Sequence, residues 1–398
     1  MKREPRTGID ILVVGGGIGG LTFAIEAHRK GHDVRVLERN DEGQYSGEII
    51  MITSSALETP KKWPGFLERL RALASPPTFD LRKYDGTFIQ HHAPGDSANP
   101  SLSIYRKRLH SLLNTYVKEL GIPITYDAKV DSYFDSTTSG GVVLKSGQKI
   151  TADVVVAADG VGSRSREIID GNREKPISSG FDENGTATES WSKTTSTHRI
   201  LDVVKDWDPF VTEVIKATPN NQVLDWKLMW RDPQPQWVSK GGHVVQLGDA
   251  AHPFLPTSFS GGTMAMEDAY SLAACLHVAG KQHVALATKV HNKLRFERVS
   301  CAQKLGFKNR EIFHNTDWKD EKAAPTKQHK MVGDWLVCHN PEKYVYENYQ
   351  KCAEHLDTGV EFLNTNIPPG YKYRPWTVRG LLGASERGEV VGDEGDWS

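Results

Sequence analysis

The sequence predicts an α/β fold centred on a parallel nucleotide-binding sheet, and three observations carry that prediction. Asp10 to Val14 (DILVV) is a β-branched apolar run that opens directly onto Gly15-Gly16-Gly17-Ile18-Gly19-Gly20. A second apolar run closes on Ala158-Asp159-Gly160, and a third on Gly248-Asp249-Ala250. A length of 398 residues suits two or three domains.

After the glycine loop a helical pattern runs from Leu21 to Lys30, with Leu21, Ala24, Ile25 and His28 on one face and Gly31 as its stop. Asp33 to Leu37 reads as a second strand and ends on Glu38. Gly15, Gly17 and Gly20 satisfy G-x-G-x-x-G, the spacing that lets backbone approach closely enough for helix N-terminal N–H groups to hold a pyrophosphate. Glu38 stands where a carboxylate accepts hydrogen bonds from both ribose hydroxyls. Strand, loop, helix, strand and terminal acid together specify a dinucleotide site. They do not separate NAD from FAD.

Ile104 to Leu120 carries an amphipathic helical pattern through Leu109, Leu112, Leu113, Tyr116, Val117 and Leu120, ended by Gly121 and Pro123. Val142 to Leu144 and Lys149 to Ala158 read as strands joined by a turn at Ser146-Gly147. Ile200 to Ala217 has helical spacing interrupted at Asp208-Pro209, where Asp208 caps a new helix. Leu224, Trp226, Leu228 and Trp230 alternate at period two, so this stretch is a strand with one apolar face. His243 to Leu247 is a further strand, and Thr263 to Val278 a helix. Beyond Asn315 only short helical pieces such as Pro341 to Cys352 are predicted, and the polar, glycine-rich residues after Ala384 read as a loose tail.

Charged residues make up 25%, with 49 basic against 50 acidic, so nothing draws the chain toward nucleic acid or anionic lipid. Cys275, Cys301, Cys338 and Cys352 are scattered and read as reduced thiols. The N-terminus MKREPRTGID has no apolar core of a secretory signal, and no apolar run reaches the length of a membrane span; a cytoplasmic protein is expected. His252 has no second ligand at metal spacing and reads as structural, so no metal is expected. Ser163 lacks a G-x-S-x-G frame. The five tryptophans between Trp191 and Trp237 suit the lining of an aromatic pocket, but Trp226 and Trp230, at strand spacing, read rather as core.

With the three junctions in hand, the chain resembles the group A FAD-dependent monooxygenases of the para-hydroxybenzoate and salicylate hydroxylase type. The glycine loop, the "DG" segment Ala158 to Arg166 and the "GD" segment Gly248 to Pro253 stand in that family's order. Tyr105-Arg106-Lys107-Arg108-Leu109 resembles the family's arginine-bearing helix start, and Met264 to Ala269 its helix after the GD segment. The wording around Trp230 to Pro233 and Gly248 to Ala269 is most similar to fungal enzymes of secondary metabolism.

The resemblance implies a Rossmann-like, non-covalent FAD-binding domain and an enzyme that spends NADPH or NADH and O₂ to hydroxylate a small aromatic substrate. It implies that Gly15, Gly17 and Gly20 cradle the FAD pyrophosphate and that Glu38 holds the adenosine ribose. Gly47 lies in a loop passing near the cofactor. Arg106, favoured over Arg108 by the R-x-x-L spacing, contacts phosphate or ribityl oxygens. Asp159 serves FAD and the nicotinamide nucleotide, Asp249 binds a ribityl hydroxyl, and the N–H groups of Gly261 and Gly262 face the flavin pyrimidine edge. The flavin carries the oxygen chemistry and the protein positions and tunes it.

Two departures from the family stand out. Phe259-Ser260 replaces the small or polar residue and glutamine usual before the glycine pair. Gly160 and Gly248 are also closer together than in relatives, and Gly171 to Thr197 is polar with almost no strand pattern. The expected organisation is a discontinuous FAD domain (8–74, 101–168 and 240–310) and a curtailed α+β substrate domain (75–100 and 169–239). A C-terminal helical extension (311–383) and a flexible tail (384–398) follow. An inactive flavin-binding remnant is the rival expectation, and no substrate-contacting catalytic residue is assigned.

Overall fold

Three strands buried on both faces set the centre of the molecule. β1 (Asp10–Val14) leads through the glycine loop into α1 (Ile18–Arg29), and β2 (Asp33–Leu37) returns parallel to β1 with Val13 beside Val36. The computed structural model describes residues 1–43, 48–76, 78–92, 95–96, 99–171, 177–178, 194–224, 229–315, 332–387, 389 and 394–398.

The chain then leaves the sheet through β3 (Ile49–Ile52) and a hairpin of β4 (Phe79–Arg82) and β5 (Phe88–His92). It returns through β6 (Leu102–Tyr105) into α2 (Arg106–Glu119). Ile104 and Tyr105, expected as the first helical residues, are strand instead. They pair with Ile50 and Ile49, an interaction that local periodicity does not encode.

A two-residue strand, β7 (Ile124–Thr125), adds to the sheet edge beside β2. β8 (Val130–Asp135), β9 (Gly140–Leu144) and β10 (Lys149–Ala152) form an antiparallel meander, and β11 (Val154–Ala157) re-enters the sheet parallel to β1. The single strand expected over Lys149 to Ala158 is thus two, broken at Asp153. β12 (Val244–Gln246) closes the sheet, giving the order β12-β11-β1-β2-β7.

The strand period of two divides the core. Ile11, Val13, Val154 and Val156 face the helices, together with Leu21 and Phe23 of α1 and Met266 and Leu272 of α3 (Gly261–Ala279). Leu12, Val14, Val155 and Ala157 face the meander, against Tyr133 and Val142. A 32-residue helix, α4 (Val284–Asn315), packs on α3 and runs past the expected domain limit at residue 310.

The C-terminal extension is tied to this core. α5 (Pro341–Thr358), capped by the Asn340 side chain, lies on α3, while α6 (Val378–Glu386) crosses the expected start of the tail. The chain end is anchored rather than loose. Trp397 meets Trp335 edge-on, and Asp334 N–H donates to the Ser398 carbonyl at 2.9 Å.

Glu342 of α5 accepts from Arg29 at 2.7 Å, Lys30 at 2.5 Å and Lys62 at 2.7 Å. Burial alone would raise its carboxyl, but these three cations outweigh burial and hold it at about 2. A carboxylate depressed from its usual 4.5 contributes stability above that pH and loses it as pH falls through about 2. Glu342→Gln is therefore expected to lower Tm at neutral pH and to flatten the acid limb of a Tm-against-pH curve. An unchanged acid limb would assign acid unfolding to other carboxylates.

The segment 169–239, expected as substrate domain, carries few strands among the described residues. Thr194–Ser196 pairs with Gln222–Leu224, and Ile177–Ser178 with Met229–Trp230, each a two-stranded fragment. Residues 225–228, in the middle of the expected strand, and most of 171–197 lie outside the described residues. Asp208 caps Pro209–Lys216 as expected, its side chain accepting from Phe210 N–H at 2.8 Å. That helix buries none of its residues, and Phe210 is 73% exposed.

Candidate active site

The glycine loop is shaped by contacts only glycine permits. Gly15 has φ +106°, and a Cβ there would sit 2.3 Å from the Ala158 carbonyl oxygen. A Cβ on Gly20 would sit 2.0 Å from the Gly15 carbonyl oxygen, so α1 can pack on β1 only without one. Gly17 is different: a Cβ there would meet no atom within 4 Å. The middle glycine therefore borders open space, at the N-terminus of a twelve-residue helix whose first N–H groups no helix carbonyl reaches. An anionic diphosphate fits that cradle.

Glu38 is buried beside the loop and accepts from Gly16 N–H and Asn40 N–H, each at 2.8 Å. The ribose-binding position expected of Glu38 is thus also a brace on the loop. Opposite it, His110 of α2 donates from Nε2 to the Gly16 carbonyl at 2.6 Å. Sequence reasoning missed His110. The available signal was a histidine four residues after Arg106, hence on the same helix face, beside the apolar stripe.

Arg106 and Arg108 part at the start of α2. Arg108 is exposed and lies over the Tyr105 ring at 5.3 Å. Arg106 is partly buried and close enough to Asp249 and His110 to act on the charge of both. The structure thus brings the arginine, the glycine loop and the GD segment to one place. Gly47 lies outside the described residues.

The DG and GD segments are bolted together from behind. Arg166 donates from Nε and Nη2 to the Ala250 carbonyl, at 3.2 and 2.9 Å. Tyr133 of the meander donates to Asp159 Oδ2 at 2.7 Å. Burial raises the Asp159 carboxyl above its usual value, opposed by hydrogen bonds from Ser163 and Tyr133. Burial likewise raises Asp249, opposed by Arg106, His252 and Arg166. A polar ligand group donating to either carboxylate would relieve that burial cost.

Gly261 and Gly262 lie inside the first turn of α3, which starts two residues earlier than expected. A Cβ on Gly261 would press on Phe254 at 3.2 Å, and one on Gly262 on Ile52 at 3.3 Å. Phe259, the departure at this loop, takes φ +53° and stacks on Phe79 of β4 with centroids 5.9 Å apart. An aromatic pair therefore links this loop to the β4–β5 hairpin.

Behind the helix, Asp268 accepts from His252 Nε2 at 2.5 Å, Arg295 Nε at 2.8 Å and Gly248 N–H at 3.1 Å. Burial alone would raise Asp268, but His252 and Arg295 hold it well below the carboxylate range. His252 is thus buried and tied to Asp268 behind α3. Among the described residues there is no metal-ligand cluster, and no helix is long and apolar enough to cross a membrane.

Residues 8–222 match a family model described as an FAD binding domain. The chain is 36% identical to the FAD-dependent monooxygenase dmxR9 of Cryptosporiopsis sp., covering 100% of this chain and 91% of that one. It is 35% identical to the FAD-dependent monooxygenase mdpD of Emericella nidulans, covering 100% and 92%. The first alignment runs over 472 positions against 398 residues, so at least 74 of its positions have no residue in this chain. Among solved structures, CtdE in complex with FAD and a substrate superposes with a TM-score of 0.80 at 26% identity, covering 88% of this chain and 100% of that one. A salicylate hydroxylase substrate complex shares the fold, with a TM-score of 0.69 at 18% identity over 86% and 98% of the two chains. The glycine cradle, the paired DG and GD junctions and these matches lead to one family: the chain belongs to the FAD-dependent monooxygenases, and FAD is its cofactor.

Proposed function

We propose that this monooxygenase uses NADPH or NADH and O₂ to hydroxylate a small aromatic or phenolic compound in fungal secondary metabolism. The observation that carries the proposal is that Arg106 lies close enough to Asp249 and to His110 to act on the charge of both, while His110 holds the Gly15–Gly20 loop whose middle glycine borders open space. FAD, when bound, supplies the redox and oxygen-transfer chemistry. The chain's own work is binding and orientation. Gly15, Gly17 and Gly20 admit the diphosphate, Glu38 holds ribose, and Arg106 offers a fixed positive charge. Asp159 and Asp249 accept from cofactor hydroxyls, and the helix N-terminus at Gly261 and Gly262 favours negative charge on the flavin. The proposed FAD domain comprises 8–74, 101–168 and 240–310, with α4 continuing to Asn315, and the proposed shortened substrate domain comprises 75–100 and 169–239.

The experiment is direct. The purified protein's flavin absorbance is recorded, and oxidation of NADPH and NADH is followed with and without a panel of phenols, with ¹⁸O₂ incorporation read by mass spectrometry. Substrate-stimulated oxidation with one labelled oxygen in the product supports the proposal. Bound FAD with neither supports the second reading, an inactive flavin-binding form. The missing aligned positions and the uncovered Pro209–Lys216 helix favour that reading.

Arg106 and Arg108 give a sharper check. Arg106→Met is expected to raise the FAD Kd by about tenfold, the loss of one charge-assisted contact. Arg108→Ala is expected to leave it unchanged, and equal effects would undo the assignment.

A further inference from the structure

We propose that His110 is a positioning residue that aims the glycine loop at the FAD diphosphate, resting on the reading that this loop holds that group. Two successive peptide planes of the loop give His110 this role. In a trans peptide the carbonyl and the N–H point in opposite directions. His110 Nε2 donates to the Gly16 carbonyl at 2.6 Å, which turns that oxygen toward α2. The N–H of the same plane, on Gly17, therefore points away from His110. Gly17 is the loop residue whose missing Cβ faces open space.

The preceding plane is fixed from its other end. Gly16 N–H donates to Glu38 Oε2 at 2.8 Å, so the Gly15 carbonyl turns the opposite way, toward Gly20. Two side chains from distant segments thus hold both planes of the Gly15–Gly17 turn. Without His110 the Gly16 carbonyl is a buried acceptor lacking this partner, and the plane gains freedom to rotate. Its oxygen can then face the cradle, where a diphosphate meets an acceptor instead of a donor.

The hydrogen bond comes from Nε2, which sets the reach a substitute must have. Glutamine carries its amide nitrogen where histidine carries Nε2, whereas asparagine matches Nδ1 and stops short. The test uses deflavinated protein titrated with FAD, with ADP and with riboflavin, which lacks the diphosphate. His110→Asn and His110→Leu are expected to weaken FAD and ADP by about tenfold, the loss of one buried hydrogen bond. Riboflavin binding stays level, and His110→Gln stays within about threefold of the parent for all three ligands.

Equal weakening by glutamine and asparagine, or weakening of riboflavin as much as ADP, would overturn the proposal. Thermal melts of the apoproteins accompany the titrations. If His110→Leu does not fold, the glutamine–asparagine contrast, which keeps an amide in both, still decides. An unsubstituted apoprotein that takes up neither FAD nor ADP overturns the cofactor reading of the loop, and the proposal with it.

Discussion

Gly17→Val yields a folded protein without flavin. The backbone at Gly17 is extended, with φ −74° and ψ −177°, so a β-branched residue is accommodated without strain. Its Cβ meets nothing within 4 Å, and the loss of stability stays near 1 kcal/mol, the cost of a poorer helix cap. The added methyl groups occupy the space a diphosphate must enter. FAD affinity is expected to fall by at least about 100-fold, or roughly 2.7 kcal/mol. Gly20→Val is the contrasting control, since its Cβ falls 2.0 Å from the Gly15 carbonyl oxygen and α1 must leave β1. The ratio of flavin to protein absorbance, with circular dichroism and Tm, separates the two outcomes. A Gly17→Val protein that purifies yellow and fully loaded would refute the diphosphate assignment.

Arg298→Met is expected to destabilise the protein by about 3–5 kcal/mol, because it takes the main partner from a buried carboxylate. Arg298 is fully buried and donates to Glu267 from Nε at 2.8 Å and from Nη2 at 2.9 Å. It also donates to the carbonyls of Trp335 and Asn366 at 3.0 Å and of Leu336 at 2.9 Å. One guanidinium thus joins α3, α4 and two segments of the C-terminal extension. Burial alone would raise the Glu267 carboxyl, and Arg298, ahead of Arg295, is the main influence that holds it at about 2, so removing Arg298 pushes the buried carboxyl up and leaves it Arg295 as its ion-pair partner. Urea unfolding should show a lower midpoint, and limited proteolysis should open the chain near residues 332–338. The double variant Glu267→Leu/Arg298→Met should recover part of the loss. A midpoint within error of the parent protein would mean that packing alone carries this junction.

The cofactor half was legible because its signals are local. A β-branched run followed by G-x-G-x-x-G and a terminal acid are properties of about thirty contiguous residues. The same holds for Asp208, which caps its helix through the second following N–H. Legibility failed wherever a partner came from far along the chain. Tyr105 is strand rather than helix because Ile49 pairs with it, and Ser385 and Glu386, expected in the loose tail, belong to a helix. The tail reading did not foresee the contact of Trp397 with Trp335, because a polar composition does not register one tryptophan edge. His110 and Tyr133 escaped notice because a buried polar residue declares its purpose only through its partner, Gly16 in one case and Asp159 in the other.

By itself, the sequence determined that this chain builds a dinucleotide cradle of the flavin monooxygenase kind and that its DG and GD junctions stand close together along the chain. Glycine spacing and strand endings are written in neighbouring residues, and motif distances can be counted along the chain. Only the tertiary structure decided which arginine turns inward, which groups aim the loop, and that the chain end is fastened to the core. Those outcomes depend on which surfaces meet when the sheet closes, and burial then fixes the charges and hydrogen bonds that water would otherwise satisfy.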